Sequence, residues 1–173
     1  MLGHIFQQWR RLVEQIAVVH GSNEEIVREM DRLRIAAAQR IENPEPERGM
    51  FSSIQCAAKW TGWGNAVSHF VIVLGDQPHL RETTLRKLLE FSRQNPDKVC
   101  QPEWKGRPKH PVVLPRPVFL GMRTTEAADL KTFLQDQARA SIRIDDPGLE
   151  LDLDYPEDYE KARKFRLDME NAD

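Results

Sequence analysis

The chain has 173 residues, with 25 basic and 27 acidic side chains and a formal net charge of −2. This length suits one domain with its own hydrophobic core, and the balanced charge argues against a protein that coats nucleic acid or an anionic membrane. Cys56 and Cys100 lie far apart without a CxxC pattern, which indicates reduced thiols in a cytoplasmic protein rather than a disulfide framework or a zinc site. The sequence shows neither a signal-peptide pattern nor an apolar run long enough to span a bilayer.

Segments with strand-like and helix-like patterns alternate along most of the chain. In the first part of the chain we expect a helix over 4–13, a strand over 16–19, a helix capped by Ser22 with Glu25 at capping-box spacing, and a strand over 35–41. Next we expect a short helix capped by Ser52 or Ser53, a strand over 70–74, a helix ending at 95, and strands over 99–102 and 111–114. The last part should contain a helix over 129–137, a strand over 142–144, an alternating stretch over 149–153 and a final helix opened by Pro156. This alternation predicts an α/β fold with a mainly parallel sheet and helices on both faces. Since no linker divides the sequence, we expect a single domain over residues 1–173.

The strongest strand signal, over 70–74, runs directly into Gly75 and Asp76. Ligands of such sheets bind beyond the carboxyl ends of the strands, which is where Asp76 lies. A carboxylate in this place can hold Mg²⁺ together with substrate phosphates. The alternative is a simple turn, in which Gly75 supplies backbone freedom and Asp76 bonds to its own backbone.

An acidic stretch near the end of the chain contains Asp152 and Asp154. Their side chains point the same way if the stretch is extended, and the two carboxylates would then complete a metal site with Asp76. The alternative is that Asp154 caps the following helix, while Glu157 and Asp158 favour the positive end of the helix dipole.

Two loops carry further candidate residues. Gly49 precedes Ser52, Ser53 and a helix start, which offers N–H groups and hydroxyls to a ligand, although an ordinary capped helix explains the same pattern. In the second loop Arg107 and Lys109 could meet phosphates, and His110 could act as a base. A lone histidine in a loop is more often a surface or packing residue.

Taken in order, these segments resemble the molybdenum cofactor nucleotidyltransferases, a MobA-like group of NTP transferases, and most closely their cytidylyltransferase branch. Asn43-Pro44, Gly49-Met50 and Ser52-Ser53-Ile54 are similar to the family's loop and helix that close around the nucleotide. The central signature of the family is matched by Leu74-Gly75-Asp76-Gln77-Pro78. Gly106, His110 and Pro111 are similar to the stretch that faces the acceptor, and residues 152–159 are similar to the closing acidic motif. The resemblance implies a Rossmann-like, three-layer GT-A-like fold. It also implies transfer of CMP from CTP, or GMP from GTP, onto the terminal phosphate of molybdopterin with release of pyrophosphate.

The resemblance also implies roles for individual residues. Asp76 and Asp154 would be catalytic and would hold Mg²⁺, with Asp152 as a weaker ligand candidate. The nucleotide would be bound by Gly49, Met50, Ser52, Ser53, Gly75 and Asp76, and the acceptor would face Arg107 and His110. The implied partners are the nucleoside triphosphate, molybdopterin or the molybdenum cofactor, and a molybdoenzyme or its chaperone; no nucleic acid or membrane is expected.

The sequence departs from the family pattern in its first segment. Members open with a strand and a Gly-rich loop that cradles the triphosphate, whereas Met1 falls where the first helix begins. We therefore expect an N-terminally truncated domain whose natural form starts earlier, with two strands left without a neighbour and apolar surface exposed. Lys109 also replaces a common glycine, and Thr124-Thr125-Glu126 replaces a Gly-Asp turn. The alternatives are a transferase for a sugar phosphate or another small phosphate, or a non-catalytic binding remnant if Met1 is the true start.

Overall fold

The computed structural model describes residues 2–150. Its helices are α1 (Leu2–Trp9), α2 (Glu24–Arg32), α3 (Met50–Lys59), α4 (Glu82–Gln94), α5 (Arg116–Gly121) and α6 (Leu130–Leu134). Its strands are β1 (Val18–His20), β2 (Arg40–Glu42), β3 (His69–Ile72), β4 (Val99–Trp104), β5 (Arg107–Pro108), β6 (Val112–Pro115) and β7 (Arg139–Arg143). Short 3₁₀ helices occupy Ala37–Gln39, Pro46–Arg48 and Pro147–Glu150. The predicted final helix, Asp152 and Asp154 lie outside the described residues.

The strands form a two-stranded and a five-stranded sheet. β1 pairs with β2 in parallel. In the larger sheet β6 lies between β3 and β4 and is antiparallel to both, whereas β7 pairs in parallel with the other edge of β4. The short strand β5 pairs with the end of β4 in a tight hairpin.

The prediction of a mainly parallel sheet needs a correction in its pairing. β3, β4 and β7 do run in one direction, because β3 and β4 are both antiparallel to β6 and β7 is parallel to β4. The hairpin after β4, however, returns the chain as β6 into the space between β3 and β4. Most hydrogen-bonded pairs in the larger sheet are consequently antiparallel, although helix α4 joins the parallel strands β3 and β4 as in a βαβ unit.

Alternate side chains of the sheet enter two different cores, which gives three layers. Phe70, Val99, Val112 and Leu114 pack on one face with residues of α3, α5 and α6. On the other face, Cys100 and Val113 pack against Leu88 of α4. The same face continues into a cluster of α1, α4 and the segment after β7, formed by Ile5, Trp9, Leu80, Leu85, Ile144 and Leu149. The strand period of two thus produces the expected helix–sheet–helix arrangement.

Several predicted element ends differ from the structure. The cap of α2 is Asn23 rather than Ser22, and its side chain accepts a hydrogen bond from the Glu25 amide at 2.8 Å. Helix α3 begins at Met50 after Gly49, so neither Ser52 nor Ser53 caps it. Both serines lie inside the first turns because Gly49, with φ of 85°, already turns the chain into the helix.

An apolar groove separates the two sheets. β1 and β3 are edge strands among the described residues, and both line this cavity of about 610 Å³ together with side chains of α1 such as Ile5 and Trp9. Within residues 2–150, no helix is long and apolar enough to cross a membrane.

Candidate active site

The turn after β3 carries the carboxylate predicted to be catalytic. Asp76 is half-buried, and its Oδ1 atom is buried without a hydrogen-bond partner among the described residues. Native proteins seldom leave a buried polar atom unsatisfied, so this oxygen has an unused capacity to bind. A carboxylate oxygen suits a hard divalent cation such as Mg²⁺ or Mn²⁺. The residue present therefore fits the metal that the family resemblance implies.

The sheet register brings this turn close to the predicted acceptor-facing loop. Ile72, near the end of β3, pairs with Val112, the first residue of β6. The chain continues from Ile72 to Asp76 and arrives at Val112 from His110, so both residues lie at the same edge of the sheet. The parallel strands β4 and β7 also end at this edge, which adds the 105–110 hairpin and the segment after Arg143.

The hairpin turn holds Arg107 at the surface. Lys105 and Gly106 have φ angles of 49° and 75°, and Arg107 follows as an exposed residue paired with Trp104. His110 is half-buried and precedes Pro111 in a cis peptide bond. This places a cationic side chain and an imidazole near the edge where Asp76 lies.

The predicted nucleotide loop is organised by one buried side chain. Asn43 is 2% exposed, and its Nδ2 donates to the hydroxyls of Ser52 at 2.8 Å and Ser53 at 3.0 Å. Its Oδ1 accepts from the Glu45 amide at 3.0 Å. Ser52 is itself buried and donates to the Gly49 carbonyl at 2.7 Å, so its hydroxyl shapes the loop instead of facing solvent.

Other residues of that loop share a cavity with the turn after β3. Met50, Ser53 and Gly75 all line the groove of about 610 Å³ between the two sheets. Met50 is 48% exposed although it is a large apolar residue. Three of the predicted nucleotide-binding residues therefore line one groove. Ser52 instead holds the loop in shape through its hydrogen bond to the Gly49 carbonyl.

Residues 1–142 match the profile of the MobA-like NTP transferase domain. The chain belongs to this family. The match confirms the resemblance to the MobA-like NTP transferases and establishes a nucleotidyltransferase domain, whose substrates include a nucleoside triphosphate. No curated protein matches the chain.

Solved structures of two mycobacterial proteins share the fold. The homologue of Mycobacterium tuberculosis Rv0371c from Mycobacterium sp. strain JC1 superimposes with a TM-score of 0.71 at 22% identity, covering 97% of this chain and 83% of that one. Rv0371c from M. tuberculosis H37Rv gives 0.67 at 20% identity, covering 94% and 83%. Its manganese complex gives 0.62 at 21%, covering 94% and 86%. These matches confirm the Rossmann-like nucleotidyltransferase fold.

In this NTP transferase domain, the segment after the Asp76 turn belongs to a buried polar cluster that was not predicted from the sequence. Asp146 is fully buried and accepts hydrogen bonds from the hydroxyl of Thr84 at 2.6 Å and the amide of Gly148 at 3.0 Å. His79, which is also buried, has its Nε2 2.9 Å from the Gly148 carbonyl. The run Asp145-Asp146-Pro147-Gly148 suggests a turn in the sequence, but nothing local shows that the second aspartate is buried against α4.

The segment after β7 is also tied to the hairpin. Glu150 accepts hydrogen bonds from Lys105 Nζ at 2.7 Å and from Trp104 Nε1 at 3.0 Å. These bonds, that from Lys105 first, lower the pKa of the Glu150 carboxyl. Within residues 2–150 no group of three or more His, Cys, Asp and Glu side chains is arranged to hold a metal ion.

Proposed function

We propose that this nucleotidyltransferase moves CMP from CTP onto the terminal phosphate of molybdopterin in an Mg²⁺-dependent reaction. The observation that carries the proposal is the Asp76 turn, whose buried carboxylate oxygen has no hydrogen-bond partner among the described residues. It stands at the sheet edge that also receives His110, next to a cavity lined by Met50, Ser53 and Gly75. The choice of cytosine and of molybdopterin comes from the sequence resemblance.

In the proposed reaction a terminal phosphate oxygen of the acceptor attacks the α-phosphorus of CTP. The bond from that phosphorus to the bridging oxygen breaks, and pyrophosphate leaves with the electron pair. Most of the catalysis is then positioning of the two substrates and neutralisation of their charge. A divalent ion, when bound, stabilises the charge that develops on the phosphates. Asp76 and Asp154 would hold it, with Asp152 as a further candidate ligand.

The remaining residues have roles that follow from their positions. Arg107 is exposed on the hairpin, where its guanidinium can pair with the acceptor phosphate. His110 would contact the acceptor from the same side. Met50 and Ser53 would contact the base and ribose from the groove, and Ser52 would act through the loop that it holds.

The experiment compares Asp76→Asn with the wild-type protein in an assay of pyrophosphate release from CTP and molybdopterin. We expect turnover to fall by at least about 100-fold, the usual effect of losing one main electrostatic group in an active site. The melting temperature should change little, because Asp76 Oδ1 has no hydrogen-bond partner to lose among the described residues.

Asp97→Asn is the matched control. Asp97 is exposed and precedes the amino end of β4, which lies at the opposite edge of the sheet from Asp76. This variant should keep wild-type turnover. Normal activity of Asp76→Asn would refute the metal assignment, while a preference for GTP over CTP, or turnover with a sugar phosphate instead of molybdopterin, would refute the substrate assignment alone.

A further inference from the structure

Two neighbouring residues of the β4–β5 hairpin donate to one carboxylate oxygen. Glu150 Oε2 accepts hydrogen bonds from the indole Nε1 of Trp104 at 3.0 Å and from Lys105 Nζ at 2.7 Å. The bond from Lys105 first, and then that from Trp104, lowers the pKa of the Glu150 carboxyl, so the group is charged at neutral pH. Hydrogen bonds to a charged acceptor are stronger than those between neutral groups. Both bonds tie the segment after β7 to the end of β4.

The turn of this hairpin has a backbone conformation that is unfavourable for a lysine. Lys105 and Gly106 both have positive φ angles, 49° and 75°, as in the two-residue turns that commonly join antiparallel strands. Glycine adopts this region freely, whereas other residues persist in it only when surrounding contacts hold them there. The bond to Glu150 is one such contact, and the Lys105 Nζ also lies 5.7 Å from the centre of the Trp104 ring.

The carboxylate of Glu150 is attached to a buried part of the fold. Leu149 is fully buried in the apolar cluster against which the Trp104 ring packs. Its amide donates to the Asp146 carbonyl at 3.0 Å at the start of the 3₁₀ helix Pro147–Glu150. The backbone of Glu150 is therefore fixed relative to β4, although its side chain is 52% exposed.

Arg107 is the cation of this hairpin that is available to a ligand. It is exposed, and its guanidinium makes no hydrogen bond or ion pair with any residue in the described range 2–150. The cation of Lys105, by contrast, is paired with Glu150. Arg107 lies directly opposite Trp104 in the hairpin, so the two side chains are neighbours on one face. Contacts that fix Trp104 and the turn consequently also fix the position of Arg107.

We propose that Glu150 is a positioning residue that holds the hairpin in the shape that presents Arg107 to the phosphate of the acceptor. The inference rests on the proposed role of Arg107 in binding that phosphate. Glu150 itself contacts no substrate and acts only through Trp104 and the turn. Its removal should therefore weaken binding of the acceptor and leave binding of CTP unchanged.

The test measures kcat and the KM values for molybdopterin and for CTP, by pyrophosphate release from the full chain. Glu150→Ala removes both hydrogen bonds, and Arg107→Ala removes the side chain through which they are proposed to act. A double variant that carries both substitutions shows whether the two residues act together. Glu90→Ala is the control, because Glu90 is a similarly exposed carboxylate of α4 whose ion pair, with Arg93 at 3.1 Å, lies outside the hairpin.

We expect Arg107→Ala to raise the KM for molybdopterin by at least about tenfold, a usual cost of losing a hydrogen bond to a charged group. Glu150→Ala should raise the same KM by about three- to fivefold, in the upper part of the range for an exposed ion pair. For Glu150→Ala, kcat and the KM for CTP should stay at wild-type values, as should all three constants for Glu90→Ala. Adding Glu150→Ala to Arg107→Ala should raise the KM by less than about 1.5-fold, because the effect passes through Arg107.

Three results would overturn the inference alone. In the first, Arg107→Ala raises the KM for molybdopterin but Glu150→Ala does not. In the second, Glu150→Ala has its full effect even in the Arg107→Ala background, so that it acts by another route. In the third, Glu150→Ala raises the KM for CTP equally, which indicates a general loss of structure. If Arg107→Ala itself has no effect, or the wild type does not react molybdopterin with CTP, the proposed function is wrong and the inference falls with it.

Discussion

Replacing Asn43 with alanine tests whether the loop over 43–53 is held by one buried amide. Asn43 is 2% exposed and makes hydrogen bonds to the hydroxyls of Ser52 and Ser53 and to the amide of Glu45, at 2.8, 3.0 and 3.0 Å. Alanine removes all of these contacts. The backbone bond from the Asn43 amide to the His20 carbonyl remains, so the loop stays anchored at its start.

The magnitude follows from the number of bonds lost. A typical protein hydrogen bond contributes about 1 kcal/mol net, so three such bonds correspond to about 3 kcal/mol of unfolding free energy. Ser52 retains its own bond to the Gly49 carbonyl at 2.7 Å, which preserves part of the loop geometry. We therefore expect Asn43→Ala to lower the unfolding free energy by about 2–3 kcal/mol.

Urea denaturation measures the stability change, and the KM for CTP measures the effect on the site. We expect KM to rise with little change in kcat, because the loop would bind the nucleotide without contacting the reacting phosphate. Asn65→Ala is the control, since Asn65 is exposed and lies outside the loop. A stability loss below about 0.5 kcal/mol would refute the hydrogen-bond reasoning. A clear stability loss with unchanged KM would instead show that this loop does not bind the nucleotide.

Two further predictions concern the backbone and pH. Gly49 has φ of 85° and ψ of −177°, a backbone region that is almost reserved for glycine. A Cβ added at this position would meet no atom within 4 Å, so any cost of Gly49→Ala comes from the backbone. We expect urea denaturation to show that Gly49→Ala lowers the unfolding free energy by about 1–3 kcal/mol. Gly75→Ala is the stability control, and an equal loss in both variants would contradict this reasoning. The hydrogen bond from the Thr132 amide lowers the pKa of Asp129 from its ordinary value of 3.8. The stabilising effect of this hydrogen bond is thus present above pH 3.8 and is lost as the pH falls through the lower folded-state pKa of Asp129. The difference in melting temperature between the wild type and Asp129→Ala should therefore shrink below about pH 4. A difference that stays constant with pH would contradict this prediction.

Local patterns were sufficient for the elements with strong signals. The apolar run near Phe70 predicted β3, and the leucines at helical spacing predicted α4, because both patterns reflect burial of a strand or of one helix face. The turn with Asp76 was predicted as a ligand-facing position for the same reason, since it directly follows a buried strand. The short elements were less well predicted, because one residue of turn geometry decides where they begin, as Gly49 does for α3.

The sequence by itself determined an α/β domain of the MobA-like family, with a carboxylate at the end of β3 and a polar loop before α3. Only the tertiary structure decided that β6 enters between β3 and β4 and so brings His110 to the same edge as Asp76. It also decided that Asp146 is buried against α4. Strand order and the burial of a turn residue depend on contacts between segments far apart in the chain, such as the bond between Thr84 and Asp146, and no local periodicity records them.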